Sequence, residues 1–207
     1  MSSIADQLRV SRLRGFWVRW ALRGVHYADR AGKLNLLYRV EDPWQMQSAR
    51  EQARFGWTNQ IIEANLAPVG TILEIGCGEG HQSQYLARAC GQLYGIDVSA
   101  LAVRRARRRC HGGRFAVGDP FAFAFKDMPA TVDLVVACEV LYYVKDIPRF
   151  LERISRLGQA CLVTYYQGQA AALDPHIAAL PGGERAQFRY EGAQWTAVWW
   201  RNQTVSP

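Results

Sequence analysis

The sequence predicts an α/β domain: a mostly parallel sheet with helices on both faces. Three observations predict it. From Thr71 onward, short apolar and partly β-branched runs alternate with helix-length amphipathic stretches. The first run, Thr71-Ile72-Leu73-Glu74-Ile75, closes on a turn with glycine at 76, 78 and 80. The second ends in a carboxylate, Asp97, one helix and one strand later.

Taken in order, residues 1–30 interleave Arg9, Arg12, Arg14, Arg19 and Arg23 with Leu8, Leu13, Phe16, Trp17, Trp20 and Leu22, the composition of a helix with an apolar stripe and a basic face. Such a stripe packs on its own protein, with weak peripheral contact on an anionic membrane as the alternative. Asp42-Pro43-Trp44 reads as a turn, because the residue before proline is pushed out of the helical region. A helix is expected from about Ser48 through Asn65, ending ahead of Pro68 and Gly70. Strands are expected at 71–76, 92–98, 114–119, 132–140 and 159–166, with helices at 80–90, 100–110 and 146–157 between them. After a loop containing Pro175, Pro181, Gly182 and Gly183, a hairpin of residues 187–191 and 194–201 closes the sheet.

At 207 residues the chain is one compact unit with no room for a separate substrate domain. The net charge of +7 invites an anionic partner, but it is concentrated in the N-terminal segment and in Arg104, Arg105, Arg107, Arg108 and Arg109. The latter cluster is expected on the solvated outer face of the helix after Asp97. Five cysteines, 77, 90, 110, 138 and 161, are odd in number and show no C-x-x-C spacing, which predicts a reducing cytoplasmic setting and no structural metal. No apolar run has signal-peptide or membrane-spanning length.

In an open α/β sheet, ligands sit beyond the carboxyl ends of the strands. Those ends carry Glu74, Gly76, Cys77, Gly78 and Gly80; then Asp97 and Val98; then Asp119 and Pro120; then Glu139, Tyr142 and Tyr143. The glycine spacing misses the dinucleotide fingerprint, since position 81 is His, and no Gly-Lys-Ser/Thr follows to make a phosphate loop. Asp97 is placed to accept both hydroxyls of a ribose, and Asp119 to accept from an adenine amino group.

The pattern Glu74-x-Gly76-x-Gly78-x-Gly80, with Asp97, Asp119 and Glu139 at successive strand ends, resembles class I S-adenosylmethionine-dependent methyltransferases. Asp42-Pro43-Trp44, then Glu51 and Arg54-Phe55, with Glu139-Val140-Leu141-Tyr142-Tyr143, resembles more narrowly the nodulation N-methyltransferases. The resemblance implies a Rossmann-like, seven-stranded sheet with an antiparallel last strand, and residues 66–207 as the methyltransferase domain. It also implies S-adenosylmethionine as cofactor, S-adenosylhomocysteine as product, and a small-molecule acceptor bearing an amine or hydroxyl. Residues 1–65 are then a helical lid, with Tyr38, Trp44 and Arg54 nearest the ligands. Glu139 is the candidate to hold and deprotonate an amine, and Tyr142 and Tyr143 to orient it. The Pro-Pro-aromatic step of enzymes that methylate nucleic-acid amino groups is missing, so DNA is not an expected partner; an RNA methyltransferase and a non-catalytic cofactor binder are the rival readings. Monomer and homodimer are both compatible with the sequence.

Overall fold

The computed structural model describes residues 30–202. The basic aromatic segment and the stripe expected within it therefore fall almost entirely outside the described residues.

Helix α1 (Arg30–Leu37) leads through the Asp42-Pro43-Trp44 turn into α2 (Ala49–Asn65), which starts after Ser48. The sheet is built from β1 (Thr71–Ile75), β2 (Gln92–Asp97), β3 (Gly113–Val117), β4 (Val132–Cys138), β5 (Gly158–Tyr166), β6 (Glu184–Tyr190) and β7 (Ala193–Arg201). Its order is β3-β2-β1-β4-β5-β7-β6, with β7 antiparallel to both neighbours. The helices between are α3 (Ser83–Leu86), α4 (Ala100–Arg109), α5 (Ile147–Leu157) and α6 (Ala170–Ala178).

The central strands are apolar on both faces because both faces are covered. Leu73, Ile75, Val135, Ala137, Cys161 and Val163 pack with Phe150, Leu151 and Ile154 of α5. Ile72, Leu134, Val136 and Leu162, the intervening positions, pack on the opposite face with Ile61 and Ile62 of α2, Leu86 of α3 and Val103 and Ala106 of α4. Strands β1 and β2 are in register to their ends, Ile75 opposite Ile96. That register sets Gly76 beside Asp97 at the β1 edge, where the chain order reverses.

Two expectations change. The helix expected over 80–90 is regular only at Ser83–Leu86. The stretch around Pro175 is a helix where the sequence suggested a loop. Pro175 forfeits one hydrogen bond, while Leu173 and Ile177 become buried and Tyr165 donates to Asp174 Oδ1 at 2.5 Å. Among the described residues no helix is long and apolar enough to cross a membrane, and all five cysteines are free thiols.

Candidate active site

A cavity of about 730 Å³ opens at the carboxyl ends of β1, β2 and β4 beneath the segment that joins α1 to α2. Its floor is the glycine turn. Gly76 and Cys77 both donate main-chain N–H groups to the Ile96 carbonyl, at 2.8 and 2.9 Å, so the turn is tied to β2. Gly80, at φ +80°, lies where a Cβ would be 2.8 Å from Ala106 Cα; α4 packs on bare backbone there. Gly78, at φ +52°, would put a Cβ 3.0 Å from the Tyr38 hydroxyl.

Asp97 ends β2 with both oxygens engaged. Gly78 N–H donates to Oδ2 at 3.0 Å and Ser99 N–H to Oδ1 at 2.8 Å, which leaves each oxygen a lone pair for a further donor. Burial pushes its pKa up to about 6, against the pull of the two N–H groups. Glu74 supports the floor from within the sheet: it accepts from Ser83 Oγ at 2.5 Å, and burial raises its pKa to about 7. Val98 and Cys77 line the cavity beside them, and burial holds the Cys77 thiol protonated.

On the β3 side, Asp119 turns the chain by accepting N–H groups from Phe121 and Ala122 with Oδ1, so Oδ2 is left for an outside donor. Pro120 is buried, and its carbonyl is fixed by Arg153 Nε at 2.8 Å.

On the β4 side, Glu139 sits just past the strand at φ +59°, a left-handed conformation uncommon for a side chain with a Cβ. Its N–H donates to the Thr164 carbonyl at 2.9 Å. Its carboxylate accepts from Tyr142 Oη at 2.7 Å and Thr164 Oγ1 at 3.0 Å. Burial raises its pKa, while the charge of Arg54 and the two hydroxyls oppose that rise. Arg54 is 2% exposed; its Nε donates to Glu51 at 2.9 Å and its Nη1 to Gln82 Oε1 at 3.0 Å. Burial works against its charge, and Glu139 and Glu51 more than compensate, so it stays a cation.

The roof comes from the segment that joins α1 to α2. Tyr38 is buried over the glycine turn, and burial, then the Asp97 charge, raises its pKa. Trp44 meets Tyr143 with ring centroids 6.0 Å apart. All the candidate residues except Gly80, which lies beneath α4, line this one cavity.

The basic helix departs from its expected role. Arg104, Arg107 and Arg108 are exposed as predicted, Arg107 also donating to the Phe115 carbonyl, but Arg105 bonds the carbonyls of Tyr38 and Val40 and pairs with Glu79, and Arg109 bonds the Glu79 carbonyl. Asp42, Glu79, His81 and Gln82 also line the cavity. The sequence reading took Asp42 only as part of a turn and His81 only as the residue that breaks the dinucleotide spacing, and it did not single out Glu79.

Residues 73–160 match the methyltransferase domain family. Nodulation protein S of Sinorhizobium fredii is 33% identical over 139 residues, 60% of this chain and 62% of that protein. A ubiquinone biosynthesis O-methyltransferase of Rhodopseudomonas palustris is 27% identical over 154 residues, 74% of this chain and 56% of that protein. The chain thus spans less than two thirds of the length of these curated relatives. Among solved structures, the N-methyltransferase NodS of Bradyrhizobium japonicum in complex with S-adenosyl-L-homocysteine superposes with a TM-score of 0.69 at 23% identity, covering 84% of this chain and all of that one. The [4+2]-cyclase SpnF superposes at 0.62 with 15% identity, over 84% of this chain and 97% of that one, so the fold alone does not fix the chemistry. Residues 73–160 thus form a methyltransferase domain, and the strand order around them is that of the Rossmann-like methyltransferase fold.

Proposed function

We propose that the protein transfers the methyl group of S-adenosylmethionine to an amine or hydroxyl of a small-molecule acceptor. The observation that carries this reading is the placement of Asp97, with two free lone pairs, and Glu139, with its bound tyrosine, on opposite sides of one cavity floored by the glycine turn.

The residues present fit the cofactor. Asp97 Oδ1 and Oδ2, each oriented by one N–H group, would accept the ribose hydroxyls; Asp119 Oδ2 would accept the adenine amino group. Arg54, the charged group deepest in the cavity, offsets the carboxylate of the amino-acid portion. When bound, the cofactor supplies an electrophilic methyl on a good leaving group, so the protein's work is alignment, exclusion of water and removal of one proton.

Glu139 takes the acceptor proton in this proposal. An amine arrives as an ammonium ion and must lose a proton before its nitrogen can attack. Tyr142 and Thr164 fix the Glu139 carboxylate, the charge of Arg54 opposes its protonation, and a base so placed contributes about 10²–10⁴-fold. Tyr143 and Trp44 offer ring faces to the acceptor, and residues 30–48 close the site.

Calorimetry with S-adenosylhomocysteine is the first test. The wild type binds, and Asp97→Ala loses most of the affinity; equal binding by both would reject the cofactor site. A radiolabelled methyl-transfer panel of amino sugars, sugars and RNA then identifies the acceptor, with incorporation into RNA alone rejecting the small-molecule reading.

A further inference from the structure

We propose that Asp42, Glu79 and His81 form a binding site for a divalent transition-metal cation, with Asp42 Oδ1, Glu79 Oε2 and His81 Nε2 as its protein ligands. All three side chains are buried, and their ligand atoms lie within 4.8 Å of one another. His81 Nε2 is 3.6 Å from Glu79 Oε2 and 3.8 Å from Asp42 Oδ1. Metal–ligand bonds of roughly 2.0–2.2 Å place neighbouring ligand atoms about 3.0–3.5 Å apart, so the two separations from His81 need close by only a few tenths of an ångström.

The histidine points to a missing partner. It is 7% exposed, aimed at two carboxylate oxygens, and among the described residues its Nε2 finds no hydrogen-bond partner. Both carboxylate separations exceed hydrogen-bond length. A neutral imidazole presenting its Nε2 lone pair to two carboxylates is repelled by both; a cation between them converts that repulsion into three bonds.

The carboxylates are already aimed. Asp42 Oδ1 accepts the Met46 N–H at 2.6 Å and Oδ2 accepts the Gln47 N–H at 3.3 Å. Glu79 Oε2 accepts the Asp42 N–H at 2.9 Å, and Oε1 pairs with Arg105. Each proposed ligand oxygen therefore keeps a lone pair, with its rotamer fixed by an outside hydrogen bond, as metal sites require. The set of one imidazole and two carboxylates suits Zn²⁺, Mn²⁺ or Co²⁺ better than a thiolate-seeking or all-oxygen ion. Because the three residues line the cavity, the remaining coordination positions face it. Arg105, paired with Glu79 Oε1, and Arg109, whose Nη1 lies 3.9 Å from Glu79 Oε2, oppose a cation, so exchange with solvent metal is expected.

The test uses the full chain after dialysis against a chelator, titrated with MnCl₂ and CoCl₂ by calorimetry, with Co²⁺ absorption recorded in parallel. The wild type binds one ion per chain through nitrogen and oxygen donors, without the thiolate charge-transfer band that the free cysteines would give. Binding weakens by about 100-fold or more in His81→Gln and in Asp42→Asn, and added Mn²⁺ raises the melting midpoint of the wild type only. Asp42→Asn keeps an acceptor for the Met46 N–H, so it separates metal loss from misfolding. Equal binding by the variants, or no binding at millimolar metal with a melting midpoint that responds to pH alone, overturns the site; the latter outcome means an imidazolium bridges the two carboxylates. S-adenosylhomocysteine affinity, measured on the same samples, reports on the cofactor site separately.

Discussion

Arg105, on the helix after β2, donates to the main-chain carbonyl of Tyr38 at 2.8 Å and with the same nitrogen pairs with the buried Glu79. A residue that the charge pattern assigned to solvent ties the segment after α1 to the glycine turn. Arg105→Ala leaves the Glu79 carboxylate without its principal cation and two carbonyls without their donor. The expected loss is about 2–3 kcal/mol, measured by urea unfolding, with proteolysis appearing first near residues 38–48. Unchanged stability and protection would show that the lid is held by other contacts, such as the Ser99 hydroxyl bonded to Asn35 at 2.7 Å.

The glycine turn makes a paired prediction. At Gly80 an added Cβ meets backbone of α4 and must also adopt φ +80°, so Gly80→Ala should cost about 2–4 kcal/mol. Gly182, at φ +67°, has nothing within 4 Å, and Gly182→Ala should cost only the conformational strain, about 1–2 kcal/mol. Thermal melts of the two variants check the difference. Equal losses would mean that helix packing adds nothing at Gly80.

Glu139→Gln keeps the shape of the side chain and removes its charge. If the acceptor is an amine, turnover should fall by about 10²-fold or more while S-adenosylhomocysteine affinity changes little. Tyr142→Phe removes a hydrogen bond to the charged group and should cost about 1–3 kcal/mol of stability. Wild-type turnover with weakened cofactor affinity in Glu139→Gln would reassign Glu139 to the cofactor.

Glu74 gives a pH dependence with a definite sign. Burial raises its pKa to about 7, above that of an unfolded carboxyl, so the fold binds this proton more tightly than the unfolded chain does. The stability it contributes is complete below about pH 4 and is lost as pH rises through about 7, a span worth about 3 kcal/mol. Glu74→Gln, which keeps a partner for Ser83, should flatten that slope. Urea titrations of both proteins at pH 5 and pH 8 measure it, and parallel slopes would place the titration elsewhere.

Much of the fold was legible because the strands around Ile72, Leu93 and Val135 carry dense apolar patterns bounded by glycine or by a lone carboxylate. Helix α6 was not, since Pro175 and the nearby glycines outweighed two apolar residues whose burial only the packed sheet reveals. The strand-end residues could be placed because the parallel topology brings every strand end to one edge. The Arg105 contact and the convergence of Asp42 on His81 could not, because they join segments far apart in sequence through long side chains whose direction no periodicity encodes. Glu139 was named as a base, but its left-handed backbone and its lock on Thr164 appear only in three dimensions.

The lid segment is also the first described part of the chain to leave the ribosome, and it docks on surfaces made later. Tyr38 waits for Arg105, 67 residues downstream, and Asp42 for Glu79, 37 residues downstream. At about 5–20 residues per second, the delay for Tyr38 is on the order of 3–13 s. During that interval Leu37, Tyr38 and Phe55, buried in the finished protein, have no sheet to cover. The nascent chain therefore presents these apolar side chains uncovered until β2 and its helix have emerged, and slowing translation between codons 55 and 105 would lengthen that exposure without changing a single residue.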